Sequence, residues 1–209
     1  MSVFDLTATP NIVVMAMRGN TGVFESPLSG TVQTIDRGGL HWVITYTYTE
    51  LRGDPRAEMM GMVAALRGQA NRLRVPVYDN PKRGTYGGTP LVNGGSQTGS
   101  SIILDGAGTV TDWIKRGDYF SIDVNGEHEL KIATADASSS GGAITINFEP
   151  RLRFSPLNNA AVYVEDGVLA KPQGVFYFSN PENNWSSRPG VSKRSVFSLQ
   201  LTEDVFATQ

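Results

Sequence analysis

The chain has 209 residues, a formal net charge of −2 and no cysteine. That length allows one large domain or two small ones, and the charge balance argues against a general nucleic-acid binder. The missing thiols exclude disulfides, thiolate catalysis and cysteine-ligated metals, and only His41 and His128 remain for a histidine-based centre.

The first residues are acidic and lack an apolar core, so no signal peptide is expected. No apolar run is long enough to cross a bilayer, and the expectation is a soluble protein made in a cytoplasm, with no membrane insertion. Many glycines and prolines, with short alternating segments, predict a mainly β chain with one helix. Residues 11–17 suit a short strand, and 18–22 a turn. Residues 29–35 form a further predicted strand, and Asp36 to Gly39 supply a tight turn into the next, so a hairpin is expected here.

The next segment organises the chain. Trp42, Ile44, Tyr46 and Tyr48 share one face of a strand, and Thr45, Thr47 and Thr49 the other. Asp54 is the predicted helix N-cap and Pro55 the first helical residue. Met59, Met62, Val63 and Leu66 follow at helical spacing, and Gly68 is the expected stop. Leu73, Val75 and Val77 then alternate with Arg72 and Arg74 as a strand. Pro76 cannot donate to a ladder, which predicts a sheet edge or a bulge for that strand.

A glycine-rich run over 84–99 reads as a linker or surface loop and as the first domain boundary. Beyond it, short predicted strands contain Ile102 to Leu104, Tyr119 to Val124, Ile144 to Phe148 and Ala160 to Val164. Five or so such strands suggest a small antiparallel barrel. Asn125 and Gly126 signal a hairpin. A two-residue loop would set Ile122 opposite Glu129, whereas a three-residue loop pairs Ile122 with Leu130 and Phe120 with Ile132. Burial favours the longer loop. The tail holds a strand at 174–178, a polar loop over 179–193 with Pro181 and Pro189, and an alternating strand carrying Phe197, Leu199 and Leu201.

Chemistry-bearing motifs are sparse. His41 precedes a core tryptophan and His128 sits between two glutamates beside a turn, so each reads as a strand residue rather than a base. Asp123 to Gly126 lacks the closing glutamate of a calcium loop. Asp105 to Gly108 lacks the third glycine of a dinucleotide fingerprint. Arg-Gly-Asp occurs at 52–54 and 116–118, where turns account for both. No catalytic, cofactor or metal residues are assigned. Arg52, Arg56, Arg67, Arg72 and Arg74, interleaved with acids, fit a solvated or subunit-facing surface and are the candidate oligomer-interface residues.

The run Trp42-x-Ile-x-Tyr, the short helix, and Leu66-Arg-Gly-Gln-Ala-Asn-Arg-Leu73 together resemble the distal tail proteins of tailed bacteriophages. Trp113-Ile-Lys-Arg-Gly-Asp118 with Ile146-Asn-Phe-Glu-Pro-Arg-Leu-Arg153 is similar to the small barrel inserted in some tail-tip proteins. Phe176-Tyr-Phe and Phe197-Ser-Leu resemble the return into the first domain. The resemblance implies a discontinuous tail-tube-like β-sandwich with a helix over 1–85 and 165–209, and an inserted barrel over 86–164. It further implies a hexameric virion ring joining the tail-tube protein to hub and fibre proteins, with phage DNA passing through without specific binding. Many relatives carry a C-terminal galectin-like module; here the chain stops soon after Phe206, so none is expected. The rival readings are a tail-tube or tail-completion protein, a carbohydrate-binding module stacking sugars on Trp113 and Trp185, and a hydrolase.

Overall fold

The computed structural model describes residues 1–164, 171–180, 182, 185–188 and 193–205. The expected boundary at 165, Pro181, Pro189 and the chain from Phe206 lie outside the described residues. The chain is mainly β with a single helix among these residues. In order the elements are β1 (Val3–Asp5), β2 (Ile12–Arg18), β3 (Thr21–Glu25), β4 (Val32–Asp36), β5 (His41–Leu51), α1 (Gly53–Ala65), β6 (Arg72–Pro76) and β7 (Leu91–Val92). There follow β8 (Gly99–Asp105), β9 (Tyr119–Val124), β10 (Glu127–Ala133), β11 (Ile144–Leu152), β12 (Val162–Tyr163), β13 (Gln173–Phe178), β14 (Trp185–Arg188) and β15 (Arg194–Glu203).

The large sheet runs β1-β6-β13-β15-β5-β2, with β14 also paired to β15. Only β1 and β6 are parallel. Its buried face is built by alternation: Trp42, Ile44, Tyr46 and Tyr48 on β5, Phe197, Leu199 and Leu201 on β15, Leu73 and Val75 on β6. Met59 and Val63 of α1 and its C-cap Leu66 pack on that face. Val43, Thr45 and Thr47 turn the other way and stand beside Ile12, Val14 and Ala16 of β2 and Ser198, Gln200 and Thr202 of β15, a stretch without charge that ends at Arg18.

The helix boundaries shift from the sequence expectation. Arg52 holds the N-cap position without a side-chain cap bond, and Asp54 lies inside the first turn, where its charge complements the helix dipole. At the other end Arg67, not Gly68, is the first left-handed residue, with φ 48°. Pro76 is not in an edge strand: β6 has β1 on one side and β13 on the other. The missing donor is tolerated because pairing with β1 ends at Asp5 opposite Arg74.

The expected hairpin between 29–35 and the Trp42 strand does not form. β4 pairs with β3 instead, and β5 pairs with β2 and β15. Gly38 and Gly39, at φ 70° and 77°, shape the connection between β4 and β5, which do not pair.

The second sheet has six antiparallel strands in the order β12-β9-β10-β11-β8-β7, one more than expected. A bridge between Leu91 and Ala161 brings its two ends together, giving a nearly closed barrel. Phe120, Ile122, Ile146, Phe148, Val92 and Trp113 fill it. The glycine-rich run is part of this packing rather than a free linker: Tyr86 sits edge-on against Trp113, and Thr85, Tyr86 and Thr89 donate backbone hydrogen bonds into the barrel. Asp118 completes the junction, its buried carboxylate accepting from the backbone N–H groups of Arg83, Gly84 and Lys115.

The β9–β10 loop has two residues, not three. Val124 faces Glu127, Ile122 faces Glu129, and Phe120 faces Lys131. Asn125 and Gly126 both have positive φ, at 56° and 85°, as the favoured two-residue turn requires. The burial argument for the longer loop assumed one buried face, but both faces of this hairpin are buried. Leu130, Ile132 and Tyr119 turn away from the barrel and join the core of the large sheet. Gly174 on β13 makes that approach close, since a Cβ there would lie 3.1 Å from the Leu130 Cβ.

Candidate functional site

Because β10 is buried on both sides, its charged residues are drawn inward and need partners. Lys131 is fully buried; its Nζ donates to Glu129 at 2.7 Å and to the Arg151 carbonyl at 3.1 Å, and lies over the Phe148 ring. Burial pushes the Lys131 ammonium down, with Glu129 opposing. Glu129 also accepts from the backbone N–H groups of Arg153 and Phe154. One residue beyond β11, Arg153 donates twice to Glu203 of β15, each at 2.8 Å, and once to the Leu40 carbonyl. Glu203 also accepts from the Trp42 N–H at 2.9 Å, and Trp42 Nε1 donates to the Leu130 carbonyl. Burial acts against the Arg153 charge, but Glu203 outweighs it and holds the guanidinium above its ordinary range. This chain of ion pairs and backbone bonds fastens the barrel to the large sheet.

None of Glu129, Lys131, Arg153 or Glu203 stands out from the sequence pattern. For Glu129 and Lys131 the available signal is the loop register, since a two-residue turn puts Glu129 opposite Ile122 and Lys131 opposite Phe120.

Next to this seam lies a cavity of about 410 Å³, lined by Gly39, Leu40, His41, Leu152, Phe154 and Val205 together with Arg151 and Arg153. The β3–β4 arm ends three residues before Gly39 of this lining. Val23, Phe24, Val32 and Ile35 on its strands are exposed, and Leu28 at its tip is 98% exposed. The arm contributes to neither core among the described residues. From sequence alone 18–22 reads as a turn and 29–35 as a strand, with 23–28 unassigned. The signal for an arm is the apolar set on either side of turn-forming Ser26, Pro27 and Gly30.

The five arginines fall on three regions. Arg52 pairs with Glu50 at 3.3 Å, and both are half exposed. Arg56 donates to Ser195 at 2.6 Å. Arg67, beyond the helix end, is exposed, and its side chain has no hydrogen-bond or ion-pair partner among the described residues. Arg72 pairs with Asp204 and lies 5.3 Å from the Tyr177 ring centre. Arg74 bridges Asp5 at 2.9 Å and Glu127 at 3.5 Å, so it too joins sheet to barrel.

The histidines lie on separate strands. His41 Nδ1 bonds the Gly39 carbonyl. His128 Nε2 accepts from Gln173, its ring lies 4.5 Å from Tyr163, and its Nδ1 is buried without a hydrogen-bond partner among the described residues. Burial, then Arg74, lowers His128 to about 4. Trp113 is wholly buried with Nε1 on the Gly87 carbonyl, and Trp185 stacks on Phe197, so the pair does not form an exposed sugar platform. No group of three or more His, Asp or Glu is arranged for a metal ion among the described residues. Among them, no helix is long and apolar enough to cross a membrane.

No family model matches the chain, and no curated protein matches it.

Proposed function

We propose that the chain is a non-enzymatic structural protein of a phage tail tip, a ring-forming adaptor between the tail tube and the hub and fibre proteins. The observation that carries this reading is the large sheet's pair of unfinished edges. At one end β2 presents a ladder edge over Ile12–Arg18 that is unpaired among the described residues, and exposes Ile12, Val14 and Met17. At the other, short β1 covers only part of β6. Long apolar edges invite pairing with another chain. Two different edges on one subunit make a head-to-tail contact, which closes into a ring when the rotation allows. The largely uncharged outer face of β2, β5 and β15 suits the wall of a channel through which DNA slides without being held. Arg52 and Arg67, whose heads face solvent, belong to the subunit boundary. The barrel, fastened at the other face, would meet neighbouring tail proteins; a tail-tube or tail-completion subunit would have less use for it. The localisation that follows is the virion, after synthesis in the host cytoplasm.

Sedimentation of the full chain alone and with its tail-tube partner, followed by electron microscopy, tests this. Rings, six-membered by expectation, support it. A strict monomer under both conditions overturns it.

A further inference from the structure

The β3–β4 arm is a two-stranded ribbon standing clear of both cores, and such a hairpin alone is marginally stable in water. Among polar neighbours such as Gln33 and Thr34, it nevertheless exposes apolar side chains on both faces: Val23 and Val32 on one, Phe24 and Ile35 on the other. At its tip Leu28 touches almost nothing. An arm of this composition gains stability only by being covered.

The cavity at the arm's foot has the complementary character. Leu40, Leu152, Phe154 and Val205 supply apolar walls, and its volume of about 410 Å³ has room for side chains the size of leucine and proline. On its rim the Arg151 side chain is exposed and has no ion-pair partner among the described residues, while the arm carries exposed Glu25 two residues before Pro27. The arm cannot fill the cavity of its own chain. Tip and foot are separated by the strand length from Thr21 to Glu25 and beyond, roughly 20 Å at about 3.3 Å per residue.

We propose that Pro27 and Leu28 at the arm tip of one copy seat in the cavity between Leu40, Leu152 and Phe154 of a second copy, with Glu25 meeting Arg151. The contact is heterologous, so it propagates in one direction around an assembly. It rests on the ring reading above and supplies that ring with a lock separate from edge pairing.

The chain has no cysteine, which makes crosslinking specific. Leu28→Cys mixed with Leu40→Cys is expected to oxidise to a covalent heterodimer, and the double variant to a ladder of linked multimers. In parallel, Glu25→Arg is expected to raise the concentration at half-assembly about tenfold, as charge reversal at a contact does, with recovery when Arg151→Glu is added. Leu28→Asp, at a fully exposed position, leaves the monomer folded by circular dichroism and is expected to abolish assembly. If wild-type rings form while the two cysteine variants never link and Leu28→Asp assembles normally, the arm–cavity contact is overturned and the ring reading stands. A wild type that is monomeric with every tail partner overturns both.

Discussion

Replacing Glu203 with alanine is expected to destabilise the fold more than any other single change at the seam. The carboxylate takes two bonds from Arg153 at 2.8 Å and one from the Trp42 N–H at 2.9 Å. Without it the largely buried guanidinium keeps the Leu40 carbonyl as its one hydrogen-bond acceptor among the described residues, and Trp42 loses its acceptor. Removing one partner of a buried pair costs about 3–5 kcal/mol, and an unpaired N–H adds to that, so about 4 kcal/mol is a fair central value. Against a domain stability of about 5–15 kcal/mol this is a large fraction. Urea unfolding followed by tryptophan fluorescence reads it directly, because Trp42 lies at the site. With a slope near 2 kcal/mol per molar, the midpoint should fall by about 2 M. The double variant Arg153→Met with Glu203→Met removes both charges, and should recover at least half of the loss, since no lone buried charge remains. A midpoint for Glu203→Ala within about 0.3 M of wild type would refute the reasoning. So would a double variant whose loss is the plain sum of the singles, because independent residues add.

His128 gives a pH dependence of known sign. Its folded value of about 4 lies below the ordinary 6.5, so unfolding takes up a proton between them. Stability is therefore complete above pH 6.5 and declines as the pH falls toward 4, by about 2 kcal/mol after allowance for partial solvent access. Asp123 and Asp5 oppose the shift, and the His128→Asn variant should lose this part of the slope in urea midpoints taken at several pH values; an unchanged slope places the titration elsewhere. The helix stripe separates two substitutions that the sequence treats alike. Leu66→Asp buries a charge without a partner and should unfold the large sheet, whereas Met62→Asp, at the helix margin, should lower stability by only about 1–2 kcal/mol. Equal thermal shifts by circular dichroism would contradict the difference in burial.

The alternation of Trp42, Ile44, Tyr46 and Tyr48, the apolar spacing of Met59, Val63 and Leu66, and the paired periods of β9, β11 and β15 were legible directly. These are local periodicities, and burial on one face is enough to impose them. The β character, the single helix and the small barrel follow from them. What local pattern could not settle was which surfaces meet. The two-residue register of β9 and β10 depended on a second buried face, supplied by β13 and Trp42 from distant parts of the chain. For the same reason Glu129, Lys131, Arg153 and Glu203 do not stand out in sequence, though Glu129, Lys131 and Glu203 are buried and Arg153 largely so by neighbours that only folding brings close. The arm shows the converse: Val23, Phe24 and Leu28 are as apolar as core residues, yet the monomer leaves them in water. Hydrophobicity is written into a sequence residue by residue, whereas burial is a property of the surfaces that fold against each other.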